Sequence, residues 1–266
     1  MILKNKKALI TGGSGVIGKT IAEFFEREGC DVITASRSGA YPVDVTNQES
    51  VKGLMGLVEK KFGALDILVT AAGIYGEIGS LEKCDAEKWL DAIKVNLYGT
   101  MLSIKYALPL LKKGGKGKII AFAGGGDGPL PNFTSYASSK GGVLRLVESL
   151  AEELLPYGIE INAISPGLVN SGITRDLIKA GPEHAGKEKY EAALKEASGE
   201  SKTTSPEKAA ELAVFLASEK SNGITGKNIS AVWDKWREFP DHLHDIKKSD
   251  IYNYRRIRPE DRGYDW

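Results

Sequence analysis

Residues 7 to 18 run Lys7-Ala8-Leu9-Ile10-Thr11-Gly12-Gly13-Ser14-Gly15-Val16-Ile17-Gly18, and a helical stretch through Phe24 and Phe25 follows. A short apolar run of strand length ends in glycines, and the glycines open a helix. That order suits a dinucleotide site. Glycine permits the tight turn and lets a pyrophosphate approach the backbone, while the first helical turn offers unpaired amides and its positive end. Gly12, Gly15 and Gly18 stand where those tasks fall, with Ser14, Val16 and Ile17 beside them.

The rest of the chain repeats the strand and helix order. Asp31 to Ala35 reads as a second strand, Tyr41 to Val45 as a short third, Gln48 to Phe62 as a helix and Leu65 to Val69 as a strand. Trp89 to Leu111 has helical spacing with a proline near its end; Lys118 to Ala123 is a strand and Phe133 to Leu155 a long helix. Ile159 to Ile164 is a strand closed by Ser165-Pro166-Gly167, and Gly181 to Gly199 is a polar helical excursion. Pro206 to Ala217 reads as a helix and Asn228 to Trp233 as a last short strand. This alternation predicts an α/β fold, a three-layer, Rossmann-like doubly wound parallel sheet. The link from Arg37 to Pro42 is too short for a crossover helix, so that corner must be a trimmed unit.

With 266 residues, 42% hydrophobic and 27% charged, the chain can bury one large core. The expected division is a dinucleotide-binding catalytic domain over 1–233 and an extension over 234–266. The extension carries Trp236, Phe239, Tyr252, Tyr254, Tyr264 and Trp266, rings that are costly to leave in water, so it is expected to lie across the domain or a neighbouring subunit. A formal charge of +1 gives no global field to attract nucleic acid or an anionic membrane. Tyr252, Tyr254, Arg255, Arg256 and Arg258 imitate a nucleic-acid patch, but acidic residues are interspersed and no nucleic acid is expected. Cys30 and Cys84 suggest neither a disulfide framework nor a zinc cluster. The His242-x-His244 pair has no third ligand at a diagnostic spacing and reads as a polar tail loop, so no metal is expected. With no signal-peptide pattern and no spanning apolar run, the expectation is a cytoplasmic protein without membrane contact.

Ribose recognition should lie at the end of the second strand. Ser36 and Arg37 offer a small donor and a guanidinium suited to a 2′-phosphate, which favours NADP(H) over NAD(H). Tyr136 and Lys140 are four apart in a helical stretch, on one face, where an ammonium favours the phenolate. Without such help a tyrosine is a poor base at neutral pH.

From Lys6 to about Trp233 the chain resembles the short-chain dehydrogenase/reductase family. Thr11 to Gly18 resembles its opening motif, with a glycine spacing nearer the extended branch than the common form. Asp44-Val45 resembles the adenine-contacting pair, and Thr70-Ala71-Ala72-Gly73 the segment that shapes the cofactor pocket. Asn96 matches the catalytic asparagine, Tyr136-x-x-x-Lys140 the tyrosine and lysine pair, and Pro166-Gly167 with Val169 and Ser171 the segment beside the nicotinamide. The resemblance implies a sheet of about seven strands, a homodimer or homotetramer, and a small carbonyl or alcohol substrate. It also implies that Tyr136 exchanges the proton as hydride passes, that Lys140 holds the nicotinamide ribose, and that Asn96 places a relay water.

The resemblance breaks at one catalytic position. A serine expected roughly thirteen residues before the tyrosine is replaced by Ala123, and neither Ala123 nor Gly124 has a hydroxyl. The serine binds the reacting oxygen, and losing one such donor costs about 10²–10³ in rate. Asp127, Thr134 and Ser135 are candidates for the gap. Two alternatives therefore stand beside an active enzyme: a cofactor-binding protein with weak turnover, or a serine-to-alanine variant of an active enzyme. Candidate substrate walls are Ile74 to Leu81, Gly124 to Phe133 and Leu168 to Gly199, with Leu168, Ile173, Leu177 and Ile178 as apolar cover. Arg175, Lys179 and Lys187 could meet an anionic group, but as surface cations they read more readily as solvating charges.

Overall fold

In the computed structural model, the described residues are 1–125, 128–170, 172–200 and 203–266. A parallel sheet forms from β1 (Lys7–Thr11), β2 (Asp31–Ser36), β3 (Tyr41–Pro42), β4 (Ile67–Thr70), β5 (Lys118–Phe122), β6 (Glu160–Ser165) and β7 (Asn228–Ser230). Its order is β3-β2-β1-β4-β5-β6-β7, seven strands as the resemblance implied. The order reverses between β1 and β4, and ligands of such sheets sit outside the carboxyl ends of the strands at that reversal.

The helices are α1 (Val16–Arg27), α2 (Gln48–Phe62), α3 (Ala86–Ala92), α4 (Gly99–Gly114), α5 (Thr134–Leu154), α6 (Gly172–Ala180), α7 (Pro182–Ala185), α8 (Lys187–Ala197), α9 (Pro206–Ala217) and α10 (Leu243–Lys248). Two apolar clusters flank the sheet. One joins Ile10, Phe25, Ile120 and Ile164 to α1 and α9. The other joins Leu9, Leu68, Ile119 and Ile161 to α2, α4 and α5. The central strands are buried on both faces, which is why they read as continuous apolar runs.

The trimmed corner has a simple geometry. Only Ala35↔Tyr41 and Ser36↔Pro42 pair, so β3 lies beside the last two residues of β2 and needs no crossover along the sheet. The predicted strand over Tyr41 to Val45 is accordingly shorter, because Asp44 turns the chain by accepting from the amide (2.9 Å) and hydroxyl (2.7 Å) of Thr46. The last predicted strand also ends early, at Ser230, whose hydroxyl accepts from the amides of Val232 and Trp233. Leu65, read as a strand residue, precedes β4 and donates its amide to Leu110.

The extension lies across the α9 side. Trp236, Phe239 and Ile246 are buried in the cluster that contains α1 and α9, with Trp236 5.4 Å from Phe215 and Phe239 5.0 Å from Tyr252. Tyr254, Tyr264 and Trp266 remain exposed. His242 and His244 lie on helical turns, Trp236–His242 and α10, where a loop was expected. Arg255 is paired with Asp250 and Asp261, and it holds the Asp261 carboxyl down to about 2. Among the described residues no helix is long and apolar enough to cross a membrane.

Candidate active site

The β1–α1 turn is built by contacts that only glycine allows. A Cβ on Gly12, which has φ +74°, would lie 2.5 Å from the Ala71 carbonyl carbon; one on Gly18 would lie 2.5 Å from the Gly12 oxygen. The turn therefore packs directly on the end of β4, and α1 packs directly on the turn. Gly15 is the exposed N-cap, with no side-chain cap and no acidic residue in the first helical turn. Unpaired amides and the positive end of α1 thus face outward, a fit for a diphosphate. Ser14 and Val16 are exposed beside it and Ile17 half-buried.

Ser36 and Arg37 stand at the carboxyl end of β2, Ser36 buried and Arg37 exposed. Asp44 is exposed but spends one carboxylate oxygen on Thr46, while Val45 is buried against Gly99. Ala71 donates its amide to Thr11 at 2.9 Å, continuing the sheet edge. Ala72 is half-buried and Gly73 exposed; a Cβ on Gly73 would come 3.3 Å from Asn96 Oδ1 and 3.7 Å from Lys140 Nζ, so its bareness keeps the approach to both open. On the far side Pro166 and Gly167 lead out of β6, and Val169 is buried. Ser171 and Asp127, both named from the sequence, lie outside the described residues.

Tyr136, Lys140 and Asn96, the residues expected to handle the proton, are brought together by α5 and by a π-helical turn. Asn96 sits in Ile93–Tyr98, a π-helical turn between α3 and α4. The residues read as one regular helix thus contain a wider turn, of the kind that recurs at functional sites. It leaves Asn96 fully buried, accepting from the Ile74 amide (2.9 Å) and donating to the Ile74 carbonyl and the Ser139 hydroxyl (both 2.8 Å). Ser139 in turn donates to the Tyr136 carbonyl at 2.8 Å. Asn96 therefore ties the loop after β4 to the helix that carries the tyrosine.

Lys140 is buried, and its ammonium donates to the Phe122 carbonyl at 2.8 Å, 5.9 Å from the Tyr136 ring. Burial lowers its pKa to about 8. Tyr136 is pushed the other way, well above the ordinary phenol value, by burial first and by Tyr75 second. Tyr75 meets the Tyr136 ring edge-on at 4.8 Å and is itself pushed up to about 12 by burial. The ammonium help expected from the sequence is therefore opposed, in this arrangement, by loss of water around the phenol.

Ala123 and Gly124 differ sharply. Ala123 is 3% exposed, at the cavity's edge, and its side chain joins the apolar cluster under α2, α4 and α5. A Cβ on Gly124 would lie 2.9 Å from Tyr136 Cζ and collide with its hydroxyl. Thr134 and Ser135, offered as substitutes, are engaged elsewhere: Thr134 accepts from the Trp89 indole at 3.0 Å, and Ser135 donates to the Tyr75 and Glu77 carbonyls at 3.1 Å.

One cavity of about 1260 Å³ runs from Gly15–Gly18 past Gly73, Tyr136 and Lys140 to α6 and α8. All three expected substrate walls contribute, through Ile74 and Tyr75, through Gly124, Gly125, Leu130 and Phe133, and through Leu168, Val169 and residues of α6 and α8. Of the cations expected from the sequence, Arg175 lines it; Lys187 is instead 3.9 Å from Glu191. Lys189 and the tail residues Tyr252, Asn253 and Tyr254 also line it. Lys189 carried no sequence signal, because in a polar stretch it looks like its neighbours.

A family model described as enoyl-(acyl carrier protein) reductase matches residues 13–231. This chain belongs to the short-chain dehydrogenase/reductase family. It is 32% identical over 250 residues to the uncharacterized oxidoreductase YxjF of Bacillus subtilis (strain 168), covering 85% of this chain and 96% of that protein. It is 31% identical to the 3-oxoacyl-(acyl-carrier-protein) reductase FabG of Thermotoga maritima, covering 86% and 97%. The ligand-free structure of Thermoplasma acidophilum aldohexose dehydrogenase superposes with a TM-score of 0.74 at 28% identity, covering 86% of this chain and 92% of that one. The chain is thus an oxidoreductase of a family whose members use NAD(P)(H) and small-molecule substrates.

Proposed function

We propose that this chain interconverts a carbonyl and an alcohol by hydride transfer with NADP(H), using Tyr136 as the acid and base. The observation that carries this is the meeting of Tyr136 and Lys140, with Asn96 behind them, along a cavity that begins at the uncapped α1 turn. When bound, the nicotinamide supplies or accepts the hydride. Gly12, Gly15 and Gly18 give the diphosphate its backbone approach, and Lys140 is available to the nicotinamide ribose beside Gly73. Asn96 is a positioning residue that fixes Ile74 and α5 around the phenol. Ser36 and the exposed Arg37, with no carboxylate between them, support NADP(H) over NAD(H).

The altered serine position is best read as Gly124, since a side chain there would meet the Tyr136 hydroxyl whereas that of Ala123 packs in the core. The lack of a hydroxyl at either position is the specific observation favouring a second reading, a cofactor-binding protein with weak turnover. We take residues 1–233 as the catalytic unit, 234–266 as an extension packed on it, and the assembly as a homodimer or homotetramer in the cytoplasm.

NADPH and NADH oxidation across a panel of ketones and aldehydes tests the reading, with Tyr136→Phe alongside. NADPH should be preferred at least tenfold in kcat/KM, and Tyr136→Phe should lose about 10²–10⁴ in rate while NADPH fluorescence shows unchanged cofactor affinity. Tight cofactor binding without turnover of any carbonyl gives the ground to the second reading.

A further inference from the structure

Lys189 bears two separate costs at one atom, and its lowered pKa is the sign of the first. Its Nζ is buried and has no hydrogen-bond partner among the described residues. It belongs to the first turn of α8, where a cation meets the positive end of the helix. Loss of water also lowers its pKa, against a weak opposing pull from Glu188. Among the described residues Nζ meets the face of Phe133, 4.4 Å away, and a ring face offsets only part of the cost of an unpaired buried charge.

The surroundings say what would repay those costs. Lys189 and Phe133 line the cavity that holds Tyr136. Tyr75 touches both Phe133 (5.1 Å) and Tyr136 (4.8 Å), so the ammonium and the phenol are joined by a continuous aromatic strip. Two helical turns along α8, Glu196 is buried and accepts from the Thr174 hydroxyl at 2.8 Å. The α8 wall is therefore bipolar, with a cation at the Phe133 end and a held carboxylate at the other. Arg175 and Asp176 also line the cavity, both exposed, and sit in water where charge is screened.

We propose that Lys189 receives an anionic group of the substrate, so that the substrate is an oxo acid, or the corresponding hydroxy acid, with its carbonyl directed along the aromatic strip to Tyr136. A carboxylate at Nζ would restore the missing hydrogen bond and neutralise the buried charge. Glu196 repels the same group from the opposite end and so sets the direction of binding. This rests on the carbonyl-reduction reading above.

The probes are oxo acids with the carbonyl two to eight carbons from the carboxylate, a range that covers the strip from Nζ through Phe133 and Tyr75 to Tyr136, each paired with its methyl ester and assayed by NADPH oxidation. The native enzyme should prefer acid over ester by about tenfold or more, the scale of one charge-assisted hydrogen bond. Lys189→Met, which keeps an apolar chain on Phe133, should abolish that preference through KM with little change in kcat, and Lys189→Arg should restore part of it. Arg175→Met should leave the preference in place. An unchanged acid-to-ester ratio in Lys189→Met, or its collapse in Arg175→Met instead, overturns the proposal. If neutral ketones or aldehydes are turned over and no oxo acid is, the proposal is overturned and the carbonyl-reduction reading stands; if no carbonyl of either kind is turned over while NADPH still binds, that reading has failed, and calorimetry of the oxo acids with the NADP⁺ complex decides the Lys189 site alone. Binding lost in Lys189→Met supports it; binding absent from the native protein, or equal in both, overturns it.

Discussion

The two ends of the cavity are built on opposite terms. At the α1 end the requirement is close backbone approach: Gly12 rests on Ala71 and Gly18 on Gly12, with a distance that leaves no room for a methyl group. At the Tyr136 end the walls are side chains, and the outcome depends on small differences in which way each one points. The first kind of site leaves its mark in residue types; the second leaves it in geometry.

The sharpest way to break this comparison is Gly18→Ala. The added Cβ would lie 2.5 Å from the Gly12 oxygen, so either α1 or the turn must move. Cofactor affinity should fall at least about 100-fold and stability by about 2–4 kcal/mol, read by NADPH fluorescence titration and urea unfolding. Near-normal affinity would mean that the turn is looser than its contacts imply.

What the chain disclosed in advance follows the same division. Lys7–Thr11 and Gln48–Phe62 match their predicted limits because their burial pattern and flanking residues were sufficient. The Tyr136 and Lys140 spacing put both on one helical face, since four residues is about one turn. The π-helical turn at Asn96 left no such trace, because a run of Ile93 to Tyr98 suits a regular helix equally well and only the Ile74 and Ser139 bonds mark the difference. Counting residues back from Tyr136 reached Ala123, whereas the reach of a Cβ toward the phenol singles out Gly124. A count along a loop carries no direction.

A second, somewhat smaller effect should appear in the pH dependence of stability. Burial holds Lys140 to about 8, while an unfolded lysine titrates near 10.4. Below about pH 8 both states bind the proton and the burial cost is felt in full. Between those values the unfolded chain holds a proton that the folded one lacks, so the Lys140 contribution to stability rises with pH, by roughly 3 kcal/mol in all. Cys30 and Tyr75, both pushed up to about 12, act in the opposite sense, the thiol from about pH 8.5 and the phenol above about pH 10, because the unfolded group ionises first and stability falls. Lys140→Met should remove the rising contribution in a series of urea titrations from pH 7 to 12 and leave the falling one. A rising limb that survives the substitution would assign it elsewhere.

Comparing Gly124→Ser with Ala123→Ser sharpens the reading of the Tyr136 end. A side chain at 124 must displace the phenol from the backbone toward the open cavity and brings a hydroxyl with it, so kcat/KM should rise about tenfold, a fraction of what a well-placed oxyanion donor supplies. A hydroxyl at 123 would enter the apolar cluster beside Ala121 and Val143, cost about 1–3 kcal/mol, and leave the rate unchanged. The reverse pattern in steady-state assays would restore Ala123 as the altered position.

The smallest expected effect concerns the tail, which lines the cavity through Tyr252, Asn253 and Tyr254. Asn253 donates to the Gly226 carbonyl at 2.9 Å and accepts from Lys227 Nζ at 2.8 Å, and so fixes Tyr252 and Tyr254 beside the cavity. Removing it leaves Lys227 bonded to the Ser249 carbonyl at 3.0 Å, so the buried ammonium is not stripped of partners. Asn253→Ala should therefore cost only about 1–2 kcal/mol in urea unfolding. Those residues line the cavity, and with the tail serving its substrate half the change should raise KM for the carbonyl a few-fold while NADPH affinity stays fixed. If cofactor affinity dropped instead, the tail would act on the α1 end, and the separation of the cavity into a backbone-built half and a side-chain-built half would not hold.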